Sequence, residues 1–468
     1  MVVPTQADDL VAWVLKSRDA FAAAAVHQVA TEKQRVQLEQ MMFGERKRAL
    51  MFARWEHTPA SVLQALAATQ DSAVKARLDK NPATPAQALS SLFSGEKQAA
   101  VVGLIAQHQH APASVLEGIA EFGTDSGSLK AVSANPASSE RVIRMLAGRV
   151  PGVFDADVAA NPSTPADVLE QVYARGNAFI RAAVIAHPGC PQSVIDRAVN
   201  EHEIVVVRHL ARDGRIGAEL LGRLASHADS AVRRGVAANP SSPGVLVKAL
   251  ASDESAAVRR AIAARGDLTV HTMRYLAQDR DHWVRQWLGR NPGLPGVLLR
   301  QLAQDQEAEV RRAVARNPGC SVAVLKKLAV DSNAWVRAAV AYQANTSPGL
   351  LRRLAEDTAV DVLSGVAAHP RSPQRILQFL AQSPEADVRR GVILNRNAKR
   401  RTLRPLLQDP YYLHRLLLVG KAVLNERDRW RMRNDPDQAV RFAVFKWFSD
   451  RFVQRTQHQR DAVINGAT

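Results

Sequence analysis

The chain has only two cysteines in 468 residues, Cys190 and Cys320. They lie far apart along the sequence, at the same position of a phrase that recurs in it. A stacked array keeps such positions apart, so neither a disulfide nor a two-cysteine metal site is expected. Long apolar runs are missing as well. Nothing approaches the ~18 uninterrupted apolar residues of a transmembrane helix, so no membrane partner is expected. Asp8 and Asp9 precede the first apolar run, where a secretory leader would be basic, and this predicts a cytoplasmic protein. There is no Walker loop, no glycine-rich dinucleotide fingerprint and no His-Glu-x-x-His. The recurring units also lack the long insertions from which a solenoid enzyme would build a closed pocket. Together these absences predict a non-enzymatic chain without a cofactor. Acidic residues are in deficit: 45 Asp and Glu face 62 Lys and Arg, leaving a net charge of +17. That surplus favours acidic or polyanionic partners, either a protein or nucleic acid.

What is present is a 26-residue period. Val232, Val258, Val284, Val310, Val336, Val362 and Val388 form one series, and Leu250, Leu276, Leu302, Leu328, Leu354, Leu380 and Leu406 another. A fixed period of about 20–50 residues marks small units stacked on copies of themselves. Each unit reads as two short helices. The first begins at a Ser-Pro or Thr-Pro step such as Thr164-Pro165 or Ser242-Pro243, with the hydroxyl expected as N-cap and proline as the first helical residue. It is expected to bury Val245, Leu246 and Leu250 and their equivalents, and to end near an Asp such as Asp253 or Asp305. The second helix carries Val-Arg-x-x-Val-Ala, its valines sharing one face, and stops at Asn-Pro steps such as Asn239-Pro240 and Asn317-Pro318. There asparagine is expected to take the left-handed conformation. His108, His187 and His369 fall at that turn position, with His57 near it, and read as its substitutes.

These signals predict an all-α, right-handed superhelical solenoid of roughly sixteen two-helix units. The expected divisions are an N-terminal helical cap over 1–47, an array over 48–388, and basic terminal repeats with a cap over 389–468.

The phrase Asn-Pro-x-Thr/Ser-Pro…Val-Leu-x-x-Leu-Ala-x-Asp…Val-Arg-x-x-Val-Ala resembles the variant leucine-rich repeat family. It is also similar to HEAT-type repeats, which share the Asp…Val-Arg step. The resemblance implies paired helices without strands. One member of the family has an N-terminal iron–sulfur segment on a cysteine cluster. No cysteine precedes Cys190 here, so that group does not carry over.

Asp305 and Arg311 are six residues apart, as are Asp253 and Arg259, Asp279 and Arg285, Asp331 and Arg337, Asp409 and Arg415, and Asp435 and Arg441. By the HEAT resemblance such pairs form a ladder, so these arginines are expected to be scaffold. If the second helices line the concave side, Arg234, Arg260, Arg290, Arg312, Arg316 and Arg390 make a basic stripe there. It reads either as a site for phosphates or acidic segments, or as a solvated charged face.

Between Arg389 and Arg460 lie 18 Lys and Arg against 6 Asp and Glu, which is 12 of the net +17. Lys399, Arg400, Arg401 and Arg404 are interleaved with Tyr411, Tyr412 and Trp430. Basic groups beside aromatic platforms suit single-stranded nucleic acid. An acidic protein partner and a plain hydrophobic end cap are the other two readings. Trp283, Trp287 and Trp335, beside Asp279 and Asp281, are loosely similar to the tryptophan-and-carboxylate face of HEAT-like DNA glycosylases. Such tryptophans also serve as packing or as a protein-binding hot spot.

Overall fold

A computed structural model describes residues 3–95, 99–149 and 151–466. Among the described residues there are 34 α-helices, three short 3-10 segments and no strand. Contacts divide the chain into two compact units, Met1–Asp196 with Asn425–Thr468, and Arg197–Leu424. The boundaries expected near 47 and 388 fall inside these units.

In the second unit the helix pairs repeat without drift. First helices run Gly244–Leu250, Val270–Leu276, Gly296–Leu302, Val322–Leu328, Pro348–Leu354 and Gln374–Leu380. Second helices run Ala256–Ala263, His282–Arg290, Ala308–Arg316, Ala334–Tyr342, Val360–Ala368 and Ala386–Leu394. The valine series is buried throughout. The first-helix expectation needs correction: Val245 is 79% exposed, while Val247 and Leu250 are buried. Residues three apart share a helical face, and the run Val245-Leu246 cannot both enter the core.

Two local expectations are also overturned. The hydroxyl before proline does not cap the following helix. Ser242 Oγ donates back to the Val236 carbonyl at 2.6 Å, and Thr164 does the same to Val158. Proline itself is the N-cap, as at Pro165 and Pro243. The hydroxyl thus adds a second donor to a carbonyl at the end of the second helix that already accepts the N–H of the turn asparagine. Ser347 stands in the proline's place, one residue later, and caps its helix by accepting from the Leu350 N–H with Pro348 at N1, while the equivalent hydroxyl, Thr346, donates back to the Val340 carbonyl at 2.6 Å.

Nor is the turn asparagine left-handed. Asn239 has φ −69° and ψ 124°, and Arg18 is the one described non-glycine residue with positive φ. Asparagine is used for its amide. Asn317 Nδ2 donates to the carbonyls of Gly289 and Asn291, both at 2.8 Å, while its Oδ1 accepts from the Gly319 N–H. Each such residue stitches its unit to the one before. Histidine reproduces the same pattern: His369 Nε2 donates to the Gln343 carbonyl, and its Nδ1 accepts from the Arg371 N–H. His108 and His187 do likewise, as expected of turn substitutes, whereas His57 is an exposed side chain. Gln343 and Arg265 fill the position by donating to the same two carbonyls.

The arginine ladder runs between units rather than within the six-residue pair. Of Asp305, Arg311 holds the main-chain carbonyl and not the carboxylate: its Nη1 donates to the Asp305 and Gln306 carbonyls at 2.8 and 2.9 Å. Its Nε and Nη2 grip both carboxylate oxygens of Asp331, 20 residues on, at 2.7 and 2.9 Å. Arg233, Arg259, Arg285, Arg337 and Arg389 form the same fork to Asp253, Asp279, Asp305, Asp357 and Asp409. A planar guanidinium fits this bidentate task, which an ammonium would not.

Candidate functional site

Second helices of neighbouring units pack more closely than first helices do. Gly391 permits this, since a Cβ there would stand 2.8 Å from the Ala367 methyl. Three positions of the second helices flank that seam: one before the first valine, two after it and six after it, the second of them buried where it is Gln286, Ala338 or Ser364. Within the second unit these carry the stripe arginines, Trp283 and Trp335, while Trp287 stands three after Val284, in the register that Gly391 holds after Val388, and is itself exposed.

Trp283, Trp287 and Trp335 are 42%, 41% and 56% exposed, so their rings face solvent. The stripe arginines differ from one another. Arg260 is neutralised by Asp281, with Nη2 to Oδ2 at 2.7 Å, and its guanidinium lies 6.0 Å from the Trp283 ring centroid. Asp281 also caps its helix by accepting from the N–H groups of Trp283 and Val284, so it is occupied twice. Arg290 lies over Trp287 at 5.2 Å, a cation–π geometry. Burial, then the charges of Arg312 and Arg290, hold the Arg316 guanidinium below its ordinary value. Those three cations therefore crowd one another. Among the described residues none of the three is ion-paired. Arg234 and Arg390 are exposed on the same helix faces, toward the two ends of the row.

The basic C-terminal cluster is not one surface. Lys399, Arg400, Arg401 and Arg404 are exposed around the first helix Arg400–Leu403, on the other member of the pair from the stripe. Tyr411 and Tyr412 are exposed at the start of Tyr412–Val419, their ring centroids 5.9 Å apart. Trp430 is 3% exposed and packs against Trp13, Phe445 and Phe448 in the first unit, so it offers no ring face to a ligand. Phe442, Phe445, Phe448 and Phe452 are buried with it and close the last helices as a hydrophobic cap. Arg429 stacks on Trp447 at 4.1 Å and Arg433 on Trp430 at 5.3 Å, which ties both arginines to that cap.

Sequence reading missed Tyr342, which is 54% exposed six residues after Val336, and the exposed Asp361 and Asp387 before their valines. The period itself would have found them, since they share registers with Arg290, Trp283 and Trp335. Both cysteines are buried, and desolvation pushes the Cys320 thiol up to about 11. Among the described residues no group of three potential metal ligands is found, and no helix is long and apolar enough to cross a membrane.

No family model and no curated protein matches the chain. Solved structures similar to it include the following two. A leucine-rich repeat variant with a novel repetitive protein structural motif is 27% identical, covering 47% of this chain and 86% of that one, with a TM-score of 0.36. Kap121p bound to Nup53p is 12% identical, covering 99% of this chain and 56% of that one, with a TM-score of 0.25. With helix pairs recurring at a fixed interval and held by side-chain ladders between units, the chain is a helical-repeat protein, an all-α solenoid.

Proposed function

We propose that the protein is a non-enzymatic, cytoplasmic binding scaffold that holds a macromolecular partner on the exposed face of its second helices. The closer packing of second helices supports that face as the concave one. One observation carries the reading: Trp283, Trp287 and Trp335 are exposed in the same row as Arg290, Arg312 and Arg316, which lack carboxylate partners among the described residues. Exposed aromatics beside arginine are the side chains that anchor interfaces. Leaving them in water, with like charges crowded, costs stability that a bound acidic group would return. Residues 399–412 are a second contact region.

The second reading is nucleic-acid binding. Lys399, Arg401, Tyr411 and Tyr412, all exposed at one end of the second unit, favour it. The test is capture of partners from native lysate by wild type and by Trp287→Ala with Arg316→Gln, each with and without nuclease. Loss in the variant, independent of nuclease, supports the protein scaffold. Capture that vanishes with nuclease supports the second reading. Equal capture by wild type and variant in both conditions removes this face from the function.

A further inference from the structure

The exposed row of second helices changes sign along its length. Its earlier part carries Arg290, Arg312 and Arg316 beside Trp287. Its later part carries Asp361 and Asp387, which have no ion pair among the described residues. Between them stand Trp335 and Tyr342. Tyr342 lies on Gly365 of the next unit, where a Cβ would come within 3.0 Å of ring atoms Cδ2 and Cε2. Burial, then the carboxylates of Asp361 and Asp387, push the Tyr342 phenol up, so both charges are felt at that ring. Glu309 and Arg390 interrupt the two ends without reversing them. Glu309 lies near the ladder residue Arg311, and Arg390 is one helical turn from Asp387.

We propose that this row binds an extended peptide segment of a partner protein that is acidic at one end, apolar in the middle and basic at the other. Its carboxylates lie over Arg290, Arg312 and Arg316, its apolar side chains against Trp335 and Tyr342, and its cations over Asp361 and Asp387. The proposal rests on the scaffold reading above and deepens it. Four unit steps separate the Arg290 helix from the Asp387 helix. At about 8–10 Å between packed helices, they span roughly 32–40 Å. An extended chain covers that length with about 10–12 residues. A nucleic-acid strand fits less well, because its phosphates repeat one sign every few ångströms and would meet both aspartates. Like charges set directly opposite each other disfavour the wrong ligand and fix the direction of the right one.

The experiment is selection from a random twelve-residue peptide display library on the full-length protein, followed by titration of the selected peptides. The enriched sequences are expected to be bipolar, with acidic and basic ends flanking an apolar centre. Arg312→Glu with Arg316→Glu, and separately Trp335→Ala, are expected to weaken the selected peptide at least tenfold. Asp361→Lys with Asp387→Lys is expected to select peptides whose basic end has become acidic. All of these positions lie on the surface, and circular dichroism verifies the fold of each variant. No enrichment, enrichment of a single charge sign, or binding insensitive to these variants overturns the proposal. So does a single-stranded oligonucleotide that binds through Arg312 and Arg316 and binds more tightly after Asp361→Lys. If Trp287→Ala with Arg316→Gln still loses its lysate partner while no bipolar motif emerges, the scaffold reading stands and this one falls.

Discussion

Arg441 donates its Nε to Oδ2 of Asp19 at 2.5 Å, across 422 residues of sequence. Its Nη1 holds the Asp435 carbonyl at 2.8 Å, as every ladder arginine holds the carbonyl six residues before it. The usual partner, at the spacing that joins Arg311 to Asp331, would be Asp461. That residue lies in the same uninterrupted helix, Gln438–Gly466, about 30 Å along its axis at 1.5 Å per residue. Asp19, at the N-cap of Ala20–Val26, supplies the carboxylate instead. Trp13 stacks on Phe445, Trp55 meets Phe442 edge-on, and Gln28 bonds Asp450 around the same junction. The N-terminal helices thus complete the last ladder arginine as a further unit would.

Asp19→Ala removes both the ion pair and the helix cap, since Asp19 also accepts from the N–H groups of Phe21 and Ala22. The expected loss is on the order of 1–2 kcal/mol for the cap alone, with the ion pair adding to it. Denaturant unfolding checks this. Asp19→Asn, which keeps a capping oxygen, is expected to lose less. Equal stability of Asp19→Ala and wild type would show that the junction contributes nothing.

Arg311→Ala leaves the Asp331 carboxylate and the Asp305 carbonyl without their donor, and is expected to cost on the order of 1–3 kcal/mol. Binding to any partner is expected to stay nearly unchanged, because this arginine faces the neighbouring unit. A variant with wild-type thermal stability but lost binding would make the ladder part of the site.

Asn317→Ala takes a donor from the buried Gly289 and Asn291 carbonyls, the second of which keeps the Leu294 N–H, and removes the acceptor of the Gly319 N–H. A loss on the order of 1–3 kcal/mol is expected by thermal or denaturant melting. Asn317→His is expected to recover part of it, since histidine fills the same position at 187 and 369.

At acid pH the histidine rungs fail. Burial first, and Arg371 charge after it, hold His369 below its ordinary 6.5 against the raising effect of the Gln343 carbonyl. Burial likewise lowers His108. The neutral ring is required, because Nδ1 must accept an N–H. A lowered folded value means these residues contribute their full stability above pH 6.5, and the contribution shrinks as pH falls through 6.5 toward the folded value. Melting temperature is expected to drop over that window. His108→Asn with His369→Asn is expected to flatten the profile, and an unchanged slope would place the pH dependence elsewhere.

Replacing Lys399, Arg400, Arg401 and Arg404 by Gln tests the basic end. If it holds nucleic acid, the wild-type affinity falls with a slope of about −0.7 to −0.9 per phosphate contact in log K against log salt, and the variant slope is shallower. Titration with short single- and double-stranded oligonucleotides at two salt concentrations reads this directly. No binding at low salt removes that reading.

The sequence alone determined the helix pairs, their fixed register and the buried valine series. These depend on spacing within a few residues, where helix geometry dictates which side chains share a face. The histidines of the turn were legible for the same reason. Only the tertiary structure decided what the polar side chains grip. The six-residue Asp305–Arg311 spacing was visible, but the true carboxylate partner sits one unit away. Asn317 was legible as a helix stop, but its amide reaches back to Gly289 and Asn291 in the preceding unit. Trp430 looked like a platform beside basic residues, and the meeting of the chain ends buried it. No local pattern links Asp19 to Arg441, because a half-buried cation pairs with whichever carboxylate the packing brings within reach, whatever its distance along the chain.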